Sequence, residues 1–352
     1  MSETNTHRLL PTKRRSIVPI VKFILAIILI CCTVWGSLAF LIDIPFRWIG
    51  ISLATIYTIG SLACLYFILP FRRIPTRIFG KALAAYLVLF SGVFIWWNAI
   101  LPSHEREWYD DVSQMPWGKI ERDTLTLHNV RDFTYRSVSD YDSRYLTRTV
   151  NLFDIEGMDI FLCYWGSPWI AHPIISFRFK GEDPIAISVE TRKETGEKYS
   201  TVKGFFRQYE LIYIVAEERD IVRLRTNIRE GEDVYLYRTS SSPERATAIF
   251  LDYVRRINEL YAEPEFYNAL KSNCTTNIMI HAAAAYGDNL ASGDWRILLN
   301  GKADEWVYEQ GSIDQSMPFE KLKALSNINN TAQKVKDLSA FSIEIRRGLP
   351  GF

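Results

Sequence analysis

Three uncharged apolar runs, Phe23–Ile42, Trp48–Leu69 and Ala82–Leu101, constrain this chain more than any other feature. They hold 20, 22 and 20 residues and fall within the first third of a 352-residue sequence. At a rise of 1.5 Å per residue, each is long enough as a helix to cross about 30 Å of hydrocarbon. None shows a polar face at the 3.6-residue period, which argues against a soluble three-helix core. A cleaved signal peptide is the rival for the first run, because Ser37-Leu38-Ala39 offers a small-x-small site. The run is longer than the apolar core of about 7–15 residues typical of such peptides. Cleavage would leave two spans and the same location for the remainder.

Orientation follows from the short basic segments, since Lys and Arg beside a span stay on the cytoplasmic side. Lys13, Arg14, Arg15 and Lys22 precede the first run, and Arg72, Arg73, Arg77 and Lys81 lie between the second and third; the loop Asp43–Arg47 has a single basic residue. Residues 1–22 are therefore expected in the cytoplasm, helices at 23–42, 48–69 and 82–101 in a bacterial inner membrane, and residues 103–352 in the periplasm. Trp96, Trp97 and Trp108 suit an aromatic belt at the outer interface, where they read as anchors.

Formal net charge is +1, with no basic stripe interleaved with aromatics, so nucleic acid is not an expected partner. Of five cysteines, Cys31, Cys32 and Cys64 fall in the apolar runs and read as packing residues. Cys163 and Cys274 lie in the outer region, where a disulfide between them is one possibility in an oxidising compartment. No Cys-x-x-Cys or His-x-x-x-His spacing occurs, so no metal and no cofactor is expected.

The outer region carries no repeat, low-complexity tract or Gly/Ser linker, which argues for one domain. Ser103–Pro116 reads as a short amphipathic helix leaving the membrane. Strand-like segments of β-branched and aromatic character follow at Thr124–Val130, Met158–Tyr164, Ile174–Phe179, Ile185–Glu190, Leu211–Ala216, Ile221–Thr226 and Val234–Tyr237. From Pro243 the period becomes helical: Ser242 can cap a helix whose apolar face is Ile249, Tyr253, Ile257 and Leu260. A second helix is expected from Cys274 to Tyr286 with Gly287 as its stop, and helical pieces after Lys302. Strands first and helices afterwards make an α+β fold.

Chemistry concentrates at Lys271-Ser272-Asn273-Cys274-Thr275-Thr276, which sets a thiol at a helix N-terminus. There the dipole and free N–H groups favour the nucleophilic thiolate. A small buried cysteine is the bland alternative. The available bases are His104, His128, His172 and His281. His281 sits seven residues further along the same helix, about 10.5 Å along its axis, and cannot reach the sulfur. His104 lies beside the membrane exit and His128 within a strand-like run. His172 opens a strand just after the turn-like Gly166-Ser167-Pro168, a place where a sheet displays catalytic groups. A third residue should orient the imidazole; Glu190 can do so if its strand pairs with that of His172, or it can form a surface salt bridge to Arg192.

Several ordered segments carry a resemblance. His172-Pro173-Ile174-Ile175-Ser176-Phe177, Ser188-Val189-Glu190-Thr191-Arg192-Lys193-Glu194 and Tyr267-Asn268-Ala269-Leu270-Lys271-Ser272-Asn273-Cys274-Thr275-Thr276 resemble the Lnb-type periplasmic domain family, typified by a lipoprotein N-acyltransferase. His128-Asn129-Val130-Arg131-Asp132-Phe133 and Tyr209-Glu210-Leu211-Ile212-Tyr213 belong to the same pattern, over roughly residues 105–290. That family resembles circularly permuted papain-like, NlpC-type thiol enzymes, in which the strand histidine precedes the helix cysteine. The resemblance implies Cys274 as nucleophile, His172 as base and Glu190 as the polar third residue.

The expected activity is acyl transfer through a Cys274 thioester, with a phospholipid or lipoprotein as acyl donor and a lipoprotein N-terminal cysteine as acceptor. Two alternatives stay open. One keeps the catalytic pair with water as acceptor, giving an amidase, peptidase or lipid hydrolase; the other is a non-catalytic envelope scaffold with a Cys163–Cys274 disulfide.

Overall fold

A computed structural model describes residues 17–69, 74–269, 273–286, 294, 296 and 300–351, without the side chains of residues 17–19, 274 and 284–286. The chain divides into two compact units, Met1–Leu101 with Phe206–Gln208, and Pro102–Phe205 with Tyr209–Phe352.

The first unit contains three long helices, α1 (Ile17–Asp43), α2 (Arg47–Ile68) and α3 (Thr76–Asn98). The third starts at Thr76 rather than Ala82 and stops at Asn98 rather than Leu101, so Arg77 and Lys81 lie on its first turns. Long cationic side chains at such a position keep their heads in water while their stems lie along apolar surface. Large apolar side chains including Trp48, Ile56 and Val88 point outward, an arrangement that hydrocarbon solvates and water does not. The contacts between helices are polar as well as apolar: Thr33 Oγ1 lies 2.9 Å from Tyr86 OH, and Ser37 Oγ 2.7 Å from Thr58 Oγ1. Such hydrogen bonds join helices where no hydrophobic drive does.

The second unit is built on an eight-stranded sheet formed by β1 (Trp117–Glu121), β2 (Thr124–Arg131), β5 (Tyr145–Asn151), β6 (Ile155–Trp165), β7 (Ala171–Phe179), β8 (Glu182–Arg192), β9 (Glu210–Glu217) and β10 (Glu232–Arg238). Its order is β1-β2-β9-β8-β7-β6-β10, with β5 added on β2. A separate two-stranded ribbon joins β3 (Thr134–Tyr135) to β4 (Tyr141–Asp142). β9 is buried along its whole length and β7 in all but one residue, so both faces of the sheet are covered there.

Helices follow the sheet: α4 (Glu218–Arg223), α5 (Pro243–Ala262), α6 (Cys274–Tyr286), α7 (Ala303–Glu309), α8 (Phe319–Ser326), α9 (Asn329–Ala332) and α10 (Phe341–Glu344). The result is an α+β architecture preceded by three apolar helices. Ser242 caps α5 by accepting from Arg245 N, and the apolar stripe of α5 packs on the sheet, Phe250 lying 4.7 Å from Phe177 between ring centroids. Gly287 lies outside the described residues.

Three expectations are corrected. Ile221–Thr226 is not a strand: α4 and a π-helical turn at Leu224–Ile228 occupy it. Its spacing of apolar residues also fits a helix, and tertiary charge pairing selects that alternative. Asp220 receives Arg131 through two hydrogen bonds of 2.8 and 2.9 Å, together with the N–H of Phe133. Glu218 receives Arg346 and Ser176.

Ser103–Pro116 is not a helix: it is irregular apart from a 3-10 turn at Asp110–Val112 and an isolated bridge from Trp108 to Glu194. Its backbone bonds go instead to the segment after β8, through Tyr109 N to Lys193 O and Thr195 N to Glu107 O. Finally, Cys163 is a free thiol, fully buried in β6, which overturns the Cys163–Cys274 disulfide.

Candidate functional site

The register of β7 on β8 pairs Ile174 with Ser188, and this places His172 and Glu190 together at the same end of the two strands. His172 is 7% exposed. Its Nε2 lies 2.7 Å from Ser188 Oγ and 3.0 Å from Glu190 Oε1, while Ser188 Oγ donates to that same oxygen at 2.8 Å. Arg225, from the π-helical turn, donates to Glu190 Oε1 at 3.0 Å and to Glu232 at 3.0 Å.

Burial favours the neutral acid at Glu190, but His172, Arg225 and Arg229 outweigh it and hold the carboxyl well below its usual range. Burial also opposes the charge on Arg225, and the carboxylates of Glu190 and Glu232 restore it. The imidazole thus faces a permanent anion that is itself fixed by a buried guanidinium.

Helix α6 starts where the sheet ends. The segment before it is pinned to β9 and its approach by Leu211 N to Glu265 O, Tyr267 N to Tyr209 O and Ala269 N to Gly204 O. A reciprocal cap then opens the helix: Thr276 N donates to Asn273 Oδ1 and Asn273 N to Thr276 Oγ1, both at 2.9 Å. Position 274 is the first residue of α6, and its side chain lies outside the described residues. The neighbours of position 274 place the first turn of α6 beside the start of β7. Asn300 Nδ2 donates to Thr275 Oγ1 at 2.6 Å, and Asn300 Oδ1 accepts from Ala171 N at 2.9 Å, so one side chain bridges the first turn of α6 to the residue before His172. A pocket of about 400 Å³ has His172, Glu190, Asn273, Thr275 and Asn300 among its lining residues.

Further along, α6 is clamped to the sheet. Tyr213 OH on β9 meets Asn277 at 2.9 Å and His281 Nε2 at 2.8 Å, and His281 Nδ1 meets Asp252 of α5 at 2.7 Å. Burial pushes His281 down to about 4, so it stays neutral at physiological pH. It points into the core rather than toward position 274.

The remaining histidines have other surroundings. His128 stacks on Trp117 with centroids 3.9 Å apart, and His104 Nδ1 accepts from Arg192 at 3.0 Å. Arg192 also donates to the carbonyls of Val112 and Ser113, and of the two alternatives for Glu190 the carboxylate takes His172 and Arg225 as partners rather than Arg192. Cys163, opposite His172 in the β6–β7 register, has its thiol pushed up to about 12 by burial. Among the described residues no cluster of His, Cys, Asp or Glu could hold a metal ion.

Reading residues in isolation missed Ser188, Arg225, Thr275 and Asn300. Ser188 carried a signal, since it lies two residues from Glu190 and shares its strand face. Arg225 and Asn300 carried none, because tertiary packing alone brings them to the site.

Residues 141–301 match the Lnb N-terminal periplasmic domain. This range starts later than the resemblance at 105–290 and runs past it, taking in Asn300 and leaving His128–Phe133 outside. No curated protein and no solved structure matches the chain. With the three apolar helices, the match describes a membrane protein carrying a periplasmic domain.

Proposed function

We propose that this protein is a thiol acyltransferase of the bacterial inner membrane, with Cys274 as nucleophile, His172 as base and Glu190 as the group that orients and charges the imidazole. The observation that carries the reading is the shared pocket, whose lining holds the His172–Glu190 pair together with Asn273 and Thr275, the two residues flanking position 274. Because Nε2 is turned to Glu190 and Ser188, the Nδ1 atom is the nitrogen that serves the thiol. The order histidine, then cysteine, also agrees with a permuted papain-like arrangement.

In the first half-reaction the thiol proton passes to His172 and the thiolate attacks the carbonyl carbon of an acyl ester. Collapse of the tetrahedral intermediate breaks the ester C–O bond, and His172 returns the proton to the departing alkoxide. A thioester on Cys274 and a free alcohol result. In the second half-reaction an amine attacks the thioester, the C–S bond breaks, and the amine's proton reaches the thiolate through His172. Backbone N–H groups at the start of α6 are the donors the oxyanion needs, supplemented by the helix dipole. Phospholipid or lipoprotein supplies the acyl chain, and the N-terminal cysteine of a lipoprotein accepts it.

Intact-mass analysis of the full-length protein in lipid nanodiscs tests the first half. Incubation with a phospholipid or diacylated lipoprotein should add one acyl chain, removable by hydroxylamine and missing in Cys274→Ser. Lipoproteins from cells with and without the gene test the second half. An N-acyl chain present only with the gene supports amine transfer. Free fatty acid with unchanged lipoproteins makes water the acceptor and removes the transferase reading.

A further inference from the structure

Most large apolar side chains left exposed in the second unit stand singly along the chain, as Ile120, Phe153 and Leu325 do, and isolated ones are ordinary. Two segments depart from that pattern. Trp165, Trp169 and Ile170 are exposed on the connection between β6 and β7, and Tyr199, Val202 and Phe205 on the loop that leads toward β9. Trp165, Ile170 and Tyr199 also belong to the lining of the His172 pocket. Side chains that are both exposed and pocket-lining form its rim, so the two loops border one opening.

Both loops are held by hydrogen bonds. Gly166 turns the first at a φ of +67°, Gly301 N donates to Trp169 O at 3.0 Å, and Asn300 Oδ1 accepts from Ala171 N. In the second, Ser200 N donates to Tyr209 OH at 3.0 Å, that hydroxyl donates to Lys198 O at 2.8 Å, and Gly204 O accepts from Ala269 N at 2.8 Å. The backbone therefore presents these side chains outward instead of letting them fold back onto the core. In water that arrangement forgoes the gain of burying them, and contact with an apolar surface recovers it.

Composition identifies that surface. Residues 164–171 carry no charge, and residues 198–203 carry two lysines and no carboxylate. Lys302 adds a cation 5.9 Å from the centroid of the Trp169 ring. Trp, Tyr and Lys together suit a water–lipid boundary, where the rings lie at headgroup depth and the cations meet lipid phosphate. The same chain carries three helices long and apolar enough to span a bilayer, so a lipid surface is present at high local concentration. We propose that the rim formed by Trp165, Trp169, Ile170, Tyr199 and Val202 docks on the periplasmic leaflet of that bilayer, so that the acyl ester of a lipid reaches the His172 pocket without passing through water. The ester rests on the acyltransferase reading; the docking surface adds its place of entry.

Two measurements on full-length protein in nanodiscs of phosphatidylethanolamine and phosphatidylglycerol test the proposal. The first needs no turnover. A phosphatidylcholine carrying a diazirine near the glycerol end of one acyl chain is included in the bilayer, Cys274→Ser protein is irradiated, and adducts are mapped by peptide mass spectrometry. Adducts within residues 165–170 and 198–205 support the docking surface. Their absence from both segments overturns it, and would leave the rim to a protein partner.

The second compares thioester formation on Cys274 from bilayer phospholipid with that from a dissolved short-chain ester. Trp169 and Val202 are 48% and 54% exposed and lie outside the pocket lining, so the fold tolerates a change at either. Trp169→Glu with Val202→Glu should lower the bilayer rate at least about tenfold relative to the dissolved ester, since each large apolar side chain withdrawn from water is worth a factor of about ten or more. Trp169→Phe with Val202→Leu should stay close to wild type. An unchanged ratio in the glutamate variant overturns the docking surface and leaves the acyltransferase reading standing. If neither ester acylates wild-type protein, that reading fails and the lipid adducts alone decide the surface.

Discussion

His172 Nε2 and Glu190 Oε1 meet at 3.0 Å across two antiparallel neighbours, β7 and β8, whose register alone brings them together. Ser188 donates to the same carboxylate oxygen, and Arg225 anchors it from behind. One nitrogen of the imidazole is therefore committed to an anion, and the tautomer follows: the proton resides on Nε2 and the basic lone pair on Nδ1.

Glu190→Gln separates charge from geometry. The amide oxygen still accepts from Nε2, but it no longer stabilises the imidazolium. Thioester formation should fall by about 10–100-fold, the range typical of such orienting partners. Activity equal to wild type would assign Glu190 to structure alone. Because its folded-state pKa is shifted down, the carboxylate's stabilising contribution exists above its ordinary value of about 4.3 and fades only as pH drops through the lower folded value. The acid limb of the rate profile therefore belongs to another group.

The two cysteines of the second unit should behave as opposites. Cys274→Ser is expected to abolish acylation while membrane insertion persists. Cys163 is enclosed and its thiol is pushed up to about 12, so iodoacetamide at pH 8 should leave it unmodified in the folded protein. Cys163→Ala should retain most activity. Equal loss from both substitutions would contradict the assignment.

Gly301 gives a test of how the site is held. A Cβ there would lie 2.4 Å from Pro168 O and 2.6 Å from Ile170 N, both backbone atoms that cannot turn aside. Gly301→Ala must therefore move the loop that leads into Ala171 and His172. A displacement approaching 1 Å can cost about 100-fold in rate. The expected outcome is a drop in turnover larger than the change in thermal stability explains, with membrane insertion unaffected.

His281 predicts a pH effect on stability rather than on chemistry. Its folded value of about 4 lies below its unfolded value of about 6.5, so between these limits the unfolded chain binds a proton that the folded chain refuses. Stability should decline as pH falls from about 6.5 to about 4, by up to about 3 kcal/mol from this residue. The melting temperature of His281→Gln, measured against pH beside wild type, should fall less steeply in that window. Parallel curves would show that His281 titrates normally.

Much of the second unit was legible because local signals agreed. β6, β7, β8, β9 and β10 stand where β-branched and aromatic runs predict them, and Ser242 marks the start of α5 through its own hydroxyl. The failures share a cause. Ile221–Thr226 has a pattern compatible with two periods, and Arg131, arriving from β2, decides between them. Tyr145–Asn151 pairs with β2 although its alternation is weak, because β2 offers an unpaired edge. Ser103–Pro116 is drawn into backbone pairing with residues 193–195 that no local propensity reveals.

By itself, the sequence determined the three apolar helices, the α+β order, the start of a helix at position 274 and a histidine at the mouth of a strand. These depend on length, period and capping, which act over a few neighbouring residues. Only the tertiary structure decided that Glu190 turns to His172 instead of Arg192, that Arg225 and Ser188 complete the site, and that Asn300 ties Thr275 to Ala171. Those choices follow from strand register and from the pairing of buried charges. Both are long-range terms, settled when distant segments pack and compete for the same partners.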